Sequence, residues 1–365
     1  MHRRNVLTMG LGGVASLAFL PRIGRAALRD HGWFTGFKSK EGGYGLARIS
    51  PDLDVSPILD SAFRLHDVLI HPKRFEICAP ARRPGNHFWV LNEAGETRMI
   101  RTDHDRHCFG HGCYSLDGKL LYLPENDFDG EKGVISVYDV ESGYRKRTEF
   151  PSNGVGPHQV LLTKDGKHLI VANGGILTHP ETGRAKLNLD SMEPNLTLME
   201  TARGQPLAEA KLAGEWHQLS IRHIGMGTDG SVVFGLQDQG PTGVPRPLVG
   251  LWQPGSQPVM LEEPEGSWLS LKSYVGSVAF DASGQYIAAT SPKSGRVVFW
   301  NRQQNRFVDA LNLRDVCGLS PVDQQGGFLV TTGEGSLARV SLSSGKAKIT
   351  DRQQTSLRFD NHCTC

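Results

Sequence analysis

The sequence predicts an all-β fold, a seven-bladed β-propeller, on three observations: a composition suited to short strands and turns, a hairpin that recurs along the chain, and strand-like segments left over at both ends of the repeats. The 365 residues include 43 Gly and 20 Pro, and apolar residues fall in short, scattered runs. That pattern suits many strands joined by tight turns and lacks long amphipathic helices. Lys and Arg number 40 against 38 Asp and Glu, for a net charge of +2. So small an excess creates no field for nucleic acid or anionic lipid, and neither is expected as a partner of the mature chain.

Residues 1–27 read as a twin-arginine export signal. Arg3 and Arg4 precede Asn5, Val6 and Leu7, then a weakly apolar run reaches Leu20, with Arg22 and Arg25 beyond it. The apolar run falls short of the ~20 residues that a membrane span needs. Cleavage is expected near Ala26 or Ala27, and the mature chain, residues 28–365, is expected in the periplasm as one domain. That compartment permits disulfides, for which Cys108 with Cys113, or Cys363 with Cys365, are candidates. Cys78 and Cys317 complete the set of six, and no pair has the CxxC spacing of a zinc knuckle or redox motif.

The repeat defines the blades. An apolar run, an Asp-Gly or Ser-Gly turn and a second apolar run occur as HGCYSLDGKLLYL from His111, HQVLLTKDGKHLIVA from His158, HIGMGTDGSVVFGL from His223 and SVAFDASGQYIAAT from Ser277. Weaker copies are HDVLIHP from His66 and CGLSPVDQQGGFLVTT from Cys317. Each reads as a hairpin whose glycine supplies the positive φ of a tight reversal. A third strand follows most of them, as in GVISVYDVESG from Gly133 and GRVVFWNRQQN from Gly295. Units of three or four strands, spaced by 45, 47, 65, 54 and 40 residues, have the periodicity of propeller blades. The longest interval implies an insertion from about Gly175 to Ala213. Segments 32–49 and 357–362 remain, and pairing them in a seventh blade shared by the two termini closes the ring and removes its open sheet edges.

The register of the repeat brings chemistry together. The innermost strands begin at His66, His111, His158, His223, Ser277 and Cys317, and equivalent positions form a ring at one mouth of the central channel. A histidine there can serve only to bond a neighbouring blade, but four in register predict a shared site. Neutral imidazole ligates Zn, Cu and Fe, so His66, His111, His158, His223 and Cys317 are the candidate ligands of a transition metal. Loops after the second strands return to the same face with Glu125, Asn126 and Asp127, with Asn173, and with Gln237. The insertion adds His179, Arg184 and Asn188 over the opening. Glu125 or Asp127 is expected to supply oxygen ligands or to fix a ring nitrogen. His107 and Arg222, beside His111 and His223, read as residues that brace loops or bind an anion, and Ser277 as a pocket residue.

The segment RHCFGHGCYSLDGKLLYLPEND, then NGVGPHQVLL and VANGGILTHPETGRAKLNLDSMEPNL, with ARRPG, LSIRH, DVCG and the terminal FDNH, resembles a family over nearly all of the mature chain. It is that of the twin-arginine-exported propellers of unknown function found with imelysin-type proteins in bacterial iron-uptake loci. Cys108 stands where that family usually has an aromatic residue, and the final CTC is an addition. The resemblance implies a periplasmic propeller associated with iron or other metal acquisition, with iron-uptake proteins as partners, and implies no reaction.

The expected function is therefore binding of a metal or metal-bearing ligand, as an accessory factor in metal acquisition. An enzyme using the same pocket, a metal-dependent hydrolase, lactonase or oxidoreductase with Glu125 and Asp127 as acid and base, is the alternative. No GxSxG, HExxH or nucleotide-binding glycine loop is present to favour a reaction class. A protein-interaction scaffold is a third reading, against which the insertion offers no aromatic residue.

Overall fold

The computed structural model describes residues 32–183, 185–343 and 345–365. The expected export signal and Arg184 lie outside them. Seven antiparallel sheets stand in a ring, each a blade. Blade one joins the two ends of the chain: Arg358–Thr364 pairs with Trp33–Lys38, followed outward by Tyr44–Ile49 and Val55–Ser61. The remaining blades occupy residues 69–101, 106–151, 157–211, 219–260, 277–312 and 316–354 in chain order. The closure expected from the unmatched terminal segments is what the sheet order shows.

Local sequence explains the hairpins. At the turn of blade three, Gly118 has φ 75°, and Asp117 accepts hydrogen bonds from Ser115 Oγ and Lys119 N. Blade four repeats the arrangement, with Gly166 at φ 70° and Asp165 accepting from Thr163 Oγ1 and Lys167 N. A side chain with a Cβ would be strained at either glycine.

The second strand of each blade is packed on both faces by neighbouring blades. Leu169, Ile170, Val171 and Ala172 are all fully buried, as are Ile287 and Val330 in later blades. Strands enclosed in this way read as continuous apolar runs, and each fully buried Leu, Ile or Val contributes roughly 1.5–3 kcal/mol. A charge at Val171 would break the junction of blades three and four, because Val171 packs with Tyr122, Ile135 and Val137 of blade three.

The insertion in blade four is shorter than the spacing suggested. Asn195–Glu200 and Pro206–Lys211 are that blade's third and fourth strands, so the excursion is confined to 174–194. The alternation in NLTLME is weak as a sequence signal, yet its strand pairs along His168–Asn173 in unbroken register. None of the six cysteines forms a disulfide.

Candidate metal centre

Irregularities in the inner strands aim the site residues. In blade four the pairing passes from Pro157↔Asn173 to Gln159↔Ala172, leaving His158 as an extra residue. Blade five does the same at Arg222, between Ile221 and His223. Blade seven places Cys317 and Gly318 opposite a single partner position, and the closing strand of blade one shifts register across Asp360–His362. Blade three is interrupted outright between Arg106–Cys108 and Cys113–Tyr114, and His111 lies in the gap. Such bulges re-aim a side chain that regular pairing would point sideways. The inner strand of blade six pairs with its neighbour in unbroken register and contributes Ser277.

Five imidazoles meet where these strands converge. Ring centroids of His111 lie 4.9 Å from His66, 5.0 Å from His158, 5.5 Å from His223 and 4.5 Å from His362. His158 and His223 are 4.8 Å apart, and His362 is 4.6 Å from both His66 and His223. Possible ligand nitrogens of His66, His111 and His158 lie within 4.8 Å of one another, as do those of His111, His223 and His362. Close approach has a backbone cause as well: a Cβ on Gly110 would come within 2.5 Å of the His66 ring.

Two carboxylates orient the rings. Asp67 Oδ2 accepts from His111 Nδ1 at 2.8 Å, and Asp360 Oδ1 lies 3.5 Å from His66 Nδ1, at the limit of a hydrogen bond. Asp67 is itself held by Val68 N and Thr364 Oγ1. Burial pushes both carboxyl groups up, but their histidine partners, and Arg64 beside Asp360, outweigh it and hold both below the usual carboxylate range. Ring nitrogens on the other side have no partner among the described residues: His111 Nε2, His158 Nε2, His362 Nε2 and His223 Nδ1 are buried and unbonded. Each would cost about 1–3 kcal/mol if nothing satisfied it. Burial lowers His66 to about 4 against the pull of Asp360, and burial with the charges of its neighbours pushes His158, His223 and His362 well below 6.5. These four rings are therefore neutral at pH 7, and their lone pairs are free for coordination.

The structure brings together His66, His111, His158 and His223 as expected, and adds His362, Asp67 and Asp360. Cys317 is outside both groups. Its thiol donates to the Asp360 carbonyl at 3.3 Å, and burial raises it far above its ordinary value, so it stays protonated. Ser277 Oγ donates to Asn361 O and touches His362 Nδ1 at 3.3 Å, which orients the fifth ring.

The blade-three acids do not serve as expected. Glu125 accepts from Ser136 Oγ at 2.6 Å and Tyr138 Oη at 2.7 Å, both on the adjacent strand, and belongs to neither histidine group. Asp127 pairs with Arg106 at 3.0 Å. The strand Leu120–Asp127 continues through these residues, so strand pairing fixes where they point, where a loop had been expected. Asn126 donates to Thr178 O and meets His107 Nε2 at 3.1 Å, while His107 packs between Phe109 and Phe128. Asn173 bonds Ser152 and Asn195, Asn188 bridges Leu177 N and Gly175 O, and His179 accepts from Glu181 N. All of these brace loops. Arg222 and Gln237, in contrast, line a cavity of about 360 Å³ whose walls also include His66, His158 and His223.

A family model described as a protein of unknown function, DUF1513, matches residues 59–365. Among solved structures, the chain is similar to one in the crystal structure of the mitotic checkpoint complex, with TM-score 0.56, 14% identity and 79% of each chain covered. It is also similar to Kuenenia stuttgartiensis hydrazine synthase, with TM-score 0.54, 15% identity and 75% of each chain covered. At such identities the likeness extends to the fold alone. No curated protein matches the chain.

Proposed function

The chain belongs to the DUF1513 family, whose description assigns no activity, and from its own residues we propose that it is an exported propeller that binds a transition-metal ion on His66, His111, His158, His223 and His362. The observation that carries this reading is the presence of buried ring nitrogens without partners among the described residues, on histidines whose possible ligand atoms lie within 4.8 Å of one another in two groups that share His111. Natively buried polar atoms without partners call for an explanation, and a bound ion supplies one. Neutral imidazoles need lose no proton to ligate, and an all-nitrogen set suits copper, zinc or iron. Asp67 behind His111 and Asp360 behind His66 are the outer partners that ligating histidines usually have.

The role we assign is capture or delivery of that metal in the periplasm, in the service of metal acquisition. The paired arginines of the leader and the resemblance to propellers of iron-uptake loci support it. Elemental analysis of protein exported by its own leader, compared with a His111→Ala, His158→Ala, His223→Ala, His362→Ala variant, tests the reading. About one equivalent or more of iron, copper or zinc in the first and little in the second is expected. Equal and negligible metal in two folded proteins would overturn it.

A further inference from the structure

The cavity over the imidazoles collects positive charge from three blades: Lys186 from the excursion of blade four, Arg222 from the bulge of blade five and Lys293 from blade six. Among the described lining residues, Asp238 is the single carboxylate, and it is engaged by Arg246 at 2.8 Å and by Gly240 N. The floor is formed by His66, His158 and His223, and no carboxylate lies in it among the described residues. Other lining groups, Gln237, Gln239, Ser273, Tyr274 and Asn361, can donate hydrogen bonds.

We propose that this cavity is a receptor for a small, multiply charged oxyanion, of the polycarboxylate or phosphate class, seated between the basic walls and the histidine floor. Several cations around one partly enclosed space repel one another, and a protein retains that arrangement where an anion completes it. Arg222 shows the same incompleteness at the atomic level: its Nη1 lies 3.3 Å from His158 Nδ1, and its buried Nε has no partner. The Lys186 ammonium, hydrogen-bonded to Gln239, is pushed below its ordinary value by burial and then by Arg222, Lys293 and Arg83. A volume of about 360 Å³ is at the small end of ligand pockets and fits an anion the size of citrate. Resting on the metal reading above, the anion would enter as the carrier or co-ligand of the ion, so that the site takes a metal in anionic, chelated form.

The test separates the two readings. Calorimetric titration of metal-free protein with citrate, and separately with phosphate, is expected to show saturable binding of at least one. A Lys186→Gln, Lys293→Gln variant should bind that anion at least tenfold more weakly, because two charges leave the walls. A Lys186→Arg, Lys293→Arg variant should retain it. A His111→Ala, His362→Ala variant, which leaves the cavity lining intact, should still bind anion even where it holds no metal. Preference for citrate or for phosphate identifies the class, and either outcome supports the proposal. No binding of either anion, or binding that is unchanged in the Lys→Gln variant, overturns it and leaves the metal reading untouched.

Discussion

Two buried polar regions lie in neighbouring parts of the propeller, and they differ in whether the protein completes them. In blade three, Arg106 contacts Asp105, Asp127 and Glu149 at 2.6, 3.0 and 2.7 Å. Lys146 binds Asp103 and Glu149, and Glu125 is closed off by Ser136 and Tyr138. At the channel mouth, one side of the imidazole cluster is held more loosely, by Asp67 on His111 at 2.8 Å, Ser277 near His362 at 3.3 Å and Asp360 3.5 Å from His66. The other side presents nitrogens with no partner among the described residues. A network with every partner in place serves the fold, whereas one satisfied on its outer side alone leaves acceptors open to a bound group.

Acid should separate the two regions most widely. Burial lowers His66 to about 4 from 6.5, so it is neutral in the native state where the unfolded chain would protonate. Its contribution is complete above about 6.5 and is lost as pH falls from there toward 4, on the order of 3 kcal/mol. Arg106 hydrogen bonding holds Glu149 at about 2 against 4.5. That contribution is complete above 4.5 and is lost only as pH falls toward 2. Urea midpoints of metal-free protein should therefore drop in two stages. A flat profile between pH 6.5 and 4.5 would mean that the imidazoles are hydrated.

The next largest effect belongs to the closed network. Arg106→Met leaves Asp127 and Glu149 without their guanidinium and should cost roughly 3 kcal/mol of unfolding free energy, read from urea or thermal melts. Metal content should be unchanged. Loss of metal with no loss of stability would reverse the roles assigned to the two regions.

Asp67→Asn acts on the open cluster through its outer partner. The amide keeps the shape of the carboxylate but not its charge, and metal affinity should fall about 10–100-fold while the fold persists. Competition with a coloured chelator measures it. Unchanged affinity would show that His111 does not depend on Asp67 for its orientation.

The fold was legible because turn chemistry and apolar runs agree in copy after copy, from the Asp-Gly turn after Tyr114 to the Ser-Gly turn before Tyr286. Four of the five imidazoles were legible for the same reason, since each opens a repeat. His362 was not, because its strand closes a blade across the two ends of the chain and has no hairpin copy to align. The signal was nonetheless present in the expectation that 357–362 supplies an inner strand. Asp67 and Asp360, one residue after His66 and two before His362, are invisible to repeat register. Glu125 misled because a strand was expected to end before it. Bulges at His158 and Arg222 leave no mark that composition or period records, and they decide which side chains reach the axis.

The strand Arg358–Thr364 follows every other strand in chain order, and it carries Asp360, His362 and the threonine that steadies Asp67. During synthesis, the other four histidines are made while the circle is still open, lacking a fifth ring and half of their carboxylate support. Pairing of that segment with Trp33–Lys38 closes the ring and brings the fifth imidazole to the others in one event. For the ion proposed above, a chain still lacking that strand would offer only a partial cage, and tight capture would wait until folding is complete.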